Sequence, residues 1–97
     1  MAKEYVYRAM CSDELNDTIK NGSASFYKRF KWFSKHLEFV IERVQNGTFN
    51  NSSHVHDRYK HIVLFEADVE KASQVSTHEL QFDRRKNPSI KFIKVIK

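Results

Sequence analysis

Tyr5-Val-Tyr-Arg-Ala-Met-Cys-Ser-Asp-Glu-Leu-Asn-Asp-Thr-Ile-Lys-Asn-Gly22 decides the fold class of this chain. Its first six residues, Tyr5 to Met10, are rich in β-formers and free of turn residues, which reads as a strand. Ser12 stands where a helix N-cap is wanted, and Asp13 and Glu14 are placed to meet the positive end of the macrodipole. Leu15 and Ile19 lie four residues apart and share a helical face. Asn21-Gly22 supplies a helix stop. The stretch therefore predicts a strand followed directly by a short helix over 13–20.

Within that strand one charge stands out. Side chains alternate across a strand, so Val6, Arg8 and Met10 share one face and Tyr5, Tyr7 and Ala9 the other. An arginine between Val6 and Met10 is partly shielded from water and wants an anionic partner. That partner is either a carboxylate of the domain itself or a ligand.

Further along, Ser23-Ala-Ser25 reads as a turn, and an aromatic-basic stretch, Phe26-Tyr-Lys-Arg-Phe-Lys-Trp-Phe33, ends in a short strand near 31–33. Ser34 reads as a second N-cap. Leu37, Val40, Ile41 and Val44 then follow the spacing of an amphipathic helix, which Asn46-Gly47 closes. Residues 48–58 are polar and loop-like. His61-Ile-Val-Leu-Phe-Glu-Ala67 has the compact apolar run of a buried strand. A turn or short helical piece over 68–73 precedes a strand at Glu79-Leu-Gln-Phe82. Arg84-Arg-Lys-Asn-Pro88 is a basic turn, because Pro88 bars a central strand there. The last strand, over 89–96, loses its apolar alternation between Phe92 and Ile93, which predicts a bulge. The order is β-α-β-α-β-β-β. It predicts one α+β domain over 1–97, with a small, mainly antiparallel sheet and two to three short helices.

Composition sets the outer limits. A chain of 97 residues with 40% hydrophobic residues can bury one modest core without disulfides or metals. Cys11 is the only cysteine, so no intramolecular disulfide forms, and it reads as a small core residue. Lys3 and Glu4 interrupt any apolar leader, and no run approaches the ~20 apolar residues of a membrane span. The expectation is a cytoplasmic protein with no membrane partner. The net charge of +5 and pI of about 9.4 suit either an anionic partner or plain solubility.

Four groups of residues bear chemistry. The Trp32-Phe-Ser34 corner leads into a helix whose free N–H groups suit an anion, with Lys35 and His36 in its first turn against the macrodipole. If no anion sits there, Ser34 is a cap and Lys35 a solvated side chain. Glu79 stands at a strand entrance, as a catalytic carboxylate or a surface one. His54, His56 and His61 lack further ligands at zinc-like spacing, so no metal is expected. Basic clusters occur at Lys28, Arg29, Lys31 and Lys35 and at Arg84, Arg85 and Lys86. The first is interleaved with Phe26, Tyr27, Phe30 and Trp32, a composition that lets aromatics stack on bases while cations hold phosphates.

Taken in order, Tyr7-Arg8-Ala-Met10 with Ser12-Asp-Glu-Leu15, then Trp32-Phe-Ser-Lys-His-Leu-Glu-Phe39, then His78-Glu-Leu-Gln-Phe82 with Asn87-Pro-Ser-Ile-Lys-Phe-Ile-Lys-Val95, resemble the ADP-ribosyltransferase fold. The resemblance implies that NAD is the substrate. It implies that Arg8, with Tyr7 beside it, holds the nicotinamide ribose or phosphates. Ser34, with Lys35 and His36, would brace the site, and Glu79 would act on the ribose as nicotinamide leaves. Thr77 stands where arginine-modifying members carry another glutamate, which implies an acceptor other than arginine. The acceptor would be a protein or a nucleic acid. The alternative reading is a non-enzymatic basic binder or inhibitor of the mobile-element type. It would engage nucleic acid or an acidic protein through Lys28, Arg29, Lys31, Arg84, Arg85 and Lys86.

Overall fold

Strand β1 (Lys3–Met10) and strand β3 (His61–Asp68) pair antiparallel along their whole length, from Lys3↔Asp68 to Met10↔His61. The computed structural model describes residues 3–24, 29–45 and 61–97. β3 is also paired with β6 (Ile90–Val95), so it is the centre of a β1-β3-β6 sheet. A second sheet has β5 (Leu80–Asp83) at its centre, between β2 (Phe30–Phe33) and β4 (Ala72–Gln74). Every pairing in both sheets is antiparallel. The helices are α1 (Ser12–Asn21) and α2 (Leu37–Gln45). This is the α+β order read from the sequence, with a three-residue strand, β4, added after a 3-10 turn at Val69–Lys71.

The apolar run of β3 explains the layering. Val63, Phe65 and Ala67 face one way and join Val6 and Met10 of β1, Phe33 of β2, Leu80 and Phe82 of β5, and Ile90 of β6. This main core lies between the two sheets. Phe33 meets Phe65 and Phe82 edge to face, with ring centroids 5.4 and 5.3 Å apart. Such pairs add about 0.5–1.5 kcal/mol each beyond the area they bury. The opposite face of the first sheet, carrying Ala9 and Ile62, is covered by α2 through Leu37, Phe39, Val40, Ile41 and Val44. The amphipathic stripe expected for this helix is thus its packed face. The Asn46-Gly47 stop lies outside the described residues.

The bulge in the last strand is present. Phe65 pairs with Phe92 and Leu64 with Lys94, which leaves Ile93 as the extra residue. The first half of β6 is held on its other side by the chain leaving α1: Ala24 N–H donates to Ile90 O at 3.0 Å and Phe92 N–H to Gly22 O at 3.0 Å. Gly22, at φ 71°, is in the left-handed region and ends α1 as read from Asn21-Gly22.

Two local expectations are corrected. α1 begins at Ser12 with Cys11 in the N-cap position, so Ser12 is not the cap; its Oγ lies 3.1 Å from His61 Nε2. Cys11 is half-buried rather than a core residue. The buried face of α1 is also rotated from Leu15 and Ile19. Ile19 is 51% exposed, whereas Glu14 and Thr18 are buried and Leu15 packs at the core's edge. Glu14 turns inward to meet the charges of Arg8 on β1 and Lys31 on β2, and Thr18 follows it on the same face, with its hydroxyl 3.9 Å from Met10 Sδ. Among the described residues no helix is long and apolar enough to cross a membrane.

Candidate functional site

Arg8 finds its anion in α1. Its Nε lies 2.7 Å from Glu14 Oε2 and its Nη2 3.2 Å from Glu14 Oε1, a forked pair in which the planar guanidinium matches the carboxylate. The third arm, Nη1, donates to Trp32 O at 2.9 Å. Of the two partners read for Arg8, the structure shows the domain's own carboxylate. The guanidinium also lies over the Phe33 ring at 5.7 Å, and this orients it at the end of the inter-sheet core.

Glu14 holds a second cation. Lys31 Nζ is 2.8 Å from the same Oε2. Lys31 is 5% exposed because β2 turns Lys31 and Phe33 inward and Phe30 and Trp32 outward. Lys31 therefore does not belong to an exposed basic face, as its place among the cations of 28–35 had suggested. The alternation of the strand, not the local composition, decides which side chain is buried. Two cations share one carboxylate, so the cluster carries an excess positive charge in a poorly solvated place. Burial pushes the Glu14 carboxyl up, but the charges and hydrogen bonds of Arg8 and Lys31 outweigh it and hold the group below its ordinary value. Burial, and then the charge of Arg8, push the Lys31 ammonium down, and Glu14 only partly offsets them.

The chain brings Ser34 to this cluster through the backbone. Tyr7 N–H donates to Ser34 O at 2.7 Å and Ser34 N–H to Tyr7 O at 2.9 Å, which joins the end of β2 to the middle of β1. The Tyr7 side chain packs with α2 on the far face of the first sheet. Ser34 is buried but is not the cap of α2. The helix starts at Leu37, and the Ser34 hydroxyl accepts from His36 N–H at 3.0 Å, a turn that ends before the first helical residue. Lys35 and His36 accordingly precede the first turn of α2 and are not part of it, contrary to the expectation that Ser34 caps the helix. Lys35 Nζ lies 3.6 Å from Glu4 Oε1, and His36 is exposed.

Glu79 arrives from the other strand. The β2–β5 register ends at Phe33↔Leu80, so Glu79 directly precedes the strand residue that pairs with the neighbour of Ser34. Its Oε1 is 3.8 Å from Arg43 Nη1 of α2. Next to it, His78 stacks on Phe39 at 4.9 Å and meets the His36 ring edge-on at 5.1 Å. Arg8 and Ser34 are thus linked through the Tyr7–Ser34 bridge of β1 and β2, and Glu79 stands at the start of β5, which pairs with β2. Their side chains divide: Arg8 lies with Glu14 and Lys31 between the sheets, and Glu79 lies with Arg43 of α2. Among the described residues no hydrogen bond or ion pair joins Arg8 to Glu79.

The remaining candidates fall elsewhere. Arg84, Arg85 and Lys86 form an exposed 3-10 turn whose first N–H donates to Arg29 O at 2.8 Å. Arg29 is paired with Asp83 and lies over the Phe30 ring at 4.7 Å. Lys28, His54 and His56 lie outside the described residues. Among the described residues no group of histidine, cysteine, aspartate and glutamate is arranged to hold a metal ion.

Comparison with family models, with curated proteins and with solved structures finds no match for this chain. Two residues of the junction escaped the sequence reading. Glu14 was read as a first-turn acid, although an arginine between Val6 and Met10 calls for a carboxylate nearby in the chain. Arg43 lay on the polar side of an amphipathic helix, where no sequence signal marks a residue that reaches another element.

Proposed function

We propose that this domain binds NAD at the β1–β2–β5 junction and transfers its ADP-ribose to a protein or nucleic-acid acceptor. The observation that supports the reading is that the strands carrying or bordering Arg8, Ser34 and Glu79 are joined, β1 to the end of β2 by the Tyr7–Ser34 bridge and β2 to β5 by the Phe33–Leu80 pair. The Arg8 guanidinium, with a side chain 19% exposed, is the group suited to a diphosphate. Glu79 supplies a carboxylate on the neighbouring element. NAD is a long molecule, so its diphosphate and its nicotinamide ribose engage separate groups.

In the transfer, the bond from the ribose C1′ to the nicotinamide nitrogen breaks and its electron pair leaves with nicotinamide. Positive charge develops at C1′ and its ring oxygen, and a carboxylate held close stabilises it. A lone pair of the acceptor then forms the new bond to C1′, and the acceptor's proton passes to solvent. Arg43 orients Glu79 by its ion pair, and the Tyr7–Ser34 backbone bonds fix the strand that carries the site.

Titrating NAD into isotope-labelled protein and following backbone amide shifts tests this. Shifts gathered at Arg8, Ser34 to His36 and Glu79 are expected. Arg8→Ala leaves Glu14 and Lys31 as a balanced pair, so the variant should fold and lose the shifts. If millimolar NAD moves none of these amides in the wild type, the reading fails.

A further inference from the structure

The outward face of the β2-β5-β4 sheet has a composition that packing does not explain. Strand β2 has the reverse of the pattern a half-buried strand would take for stability alone, because its lysine points in and two of its aromatics point out. Trp32 is 45% and Phe30 37% exposed. Both belong to the set of side chains that paired strands present on one face. Gln81 pairs with Trp32 there, Asp83 with Phe30, and Ser73 of β4 with Gln81.

Cations gather at one end of this face. Asp83 accepts both Arg29 Nε at 3.2 Å and Arg29 Nη2 at 3.0 Å, and it also accepts the Arg85 N–H at 2.9 Å. It thereby lays Arg29 across the Phe30 ring and starts the exposed turn of Arg84, Arg85 and Lys86. Four cations stand there against one carboxylate. Among the described residues Arg84, Arg85 and Lys86 make no ion pair.

We propose that this face binds single-stranded nucleic acid, with unpaired bases stacked on Trp32 and on the Arg29–Phe30 pair and phosphates held by Arg84, Arg85 and Lys86. The exposed Trp32 ring and the Arg29 guanidinium layered on Phe30 suit bases that are free of a duplex, because every base has a π-face to offer and a duplex hides it. The adjoining cations meet the backbone that such a strand must carry with it. Gln81, beside Trp32, offers both a donor and an acceptor to a base edge. An acidic protein would satisfy the cations but leaves the two exposed aromatics unexplained. The face is separate from the Arg8–Glu14–Lys31 cluster, which lies on the inner side of β2.

Trp32 is the only tryptophan of the chain, so its fluorescence reports on this face alone. The full chain is titrated with a single-stranded DNA of about ten nucleotides, a length within the usual site sizes. The same-length duplex and polyglutamate are run in parallel. The single strand is expected to quench Trp32 and to bind more weakly as salt rises, while the duplex and polyglutamate leave the emission unchanged. By anisotropy of a labelled strand, Trp32→Ala should weaken binding about tenfold, the loss of one stacked base. Arg84→Glu with Arg85→Glu should weaken it further and flatten the salt dependence. Both variants change exposed side chains, and both should retain the NAD-induced amide shifts at Arg8 if the NAD reading holds. An unquenched Trp32 at millimolar strand, equal quenching by polyglutamate, or unchanged affinity in Trp32→Ala would each overturn the proposal. Loss of the NAD shifts in wild type with strand binding intact would remove only the transferase reading.

Discussion

Lys31 Nζ and Glu14 Oε2 lie 2.8 Å apart, and Glu14 Oε2 is also the oxygen that accepts Arg8 Nε. One carboxylate therefore anchors an arginine from β1 and a lysine from β2, and it ties α1 to both sheets. The arrangement explains why a polar helical stripe is buried and why a lysine points into a largely apolar interior. It also makes Glu14 the group on which the local electrostatics depend.

Glu14→Gln should be the most damaging single change in the cluster. It leaves two cations without their carboxylate in a place shielded from water. Removing one partner of a buried ion pair costs about 3–5 kcal/mol. Urea denaturation at neutral pH should show that loss as a lowered midpoint with an unchanged slope. A loss below about 1 kcal/mol would mean that water reaches the cluster freely.

Acid should act through the same residue. The Glu14 carboxyl lies below its ordinary 4.5 in the folded chain and returns to it on unfolding. The unfolded chain therefore takes up protons first, and the stabilisation present above pH 4.5 is lost as pH falls through the folded value. Midpoints measured between neutral pH and about pH 3 should fall more steeply for the wild type than for Glu14→Gln. Parallel curves would place the acid sensitivity elsewhere.

Lys31→Met should separate stability from anion binding. The ammonium is held below its ordinary 10.5, so the folded state bears a cost for its charge, and stability rises with pH as 10.5 is approached from below. Methionine removes that cost and leaves Arg8 paired with Glu14. Stability at neutral pH should stay within about 1 kcal/mol of wild type or exceed it, and the alkaline rise should disappear. Affinity for NAD, read from the amide shifts, should fall because a cation beside Arg8 is gone and Glu14 then neutralises Arg8 alone. A variant that is both unstable and unaltered in binding would contradict this account.

The elements of this fold were legible because they follow simple periods. The stripe Leu37, Val40, Ile41, Val44 marks α2, the apolar run of 61–67 marks the central strand, and the slip after Phe92 marks the bulge. The helix starts were read less well. Ser12 and Ser34 have cap chemistry, but Cys11 and His36 hold the positions before the helices, because each serine bonds elsewhere, to His61 and to the turn at His36. The orientation of α1 was not legible at all. Which face it buries depends on Lys31, seventeen residues past Glu14 on another element, and no local pattern carries that information. For the same reason Arg8 could be read as wanting an anion without Glu14 being named. The linking of β1, β2 and β5, which bear or border Arg8, Ser34 and Glu79, rests on the β2–β5 register, which alternation alone does not set.

Gly22→Ala tests a backbone effect in isolation. At φ 71° an alanine is strained, yet a Cβ built there meets nothing within 4 Å. The cost should be about 1–2 kcal/mol, the penalty of the left-handed region for an L-residue, without any steric addition. Because Gly22 O accepts Phe92 N–H, hydrogen exchange at Phe92 should quicken along with the fall in midpoint. A larger loss would show that the chain after α1 shifts away from β6.

Glu79→Gln separates chemistry from binding at the junction. Among the described residues the half-buried carboxylate has only a long, 3.8 Å contact with Arg43, so its loss should change stability by no more than about 1 kcal/mol. Glutamine keeps the size of the side chain but not its charge. If Glu79 stabilises the charge that develops at C1′, turnover of NAD, read as release of nicotinamide, should drop by about 100-fold or more. Amide shifts caused by NAD at Arg8 should persist, since the diphosphate is held by another element. A fall in turnover matched by an equal loss of those shifts would make Glu79 a binding residue. Unchanged turnover would remove it from the chemistry and leave Ser34 and Arg8 without the carboxylate the transfer requires.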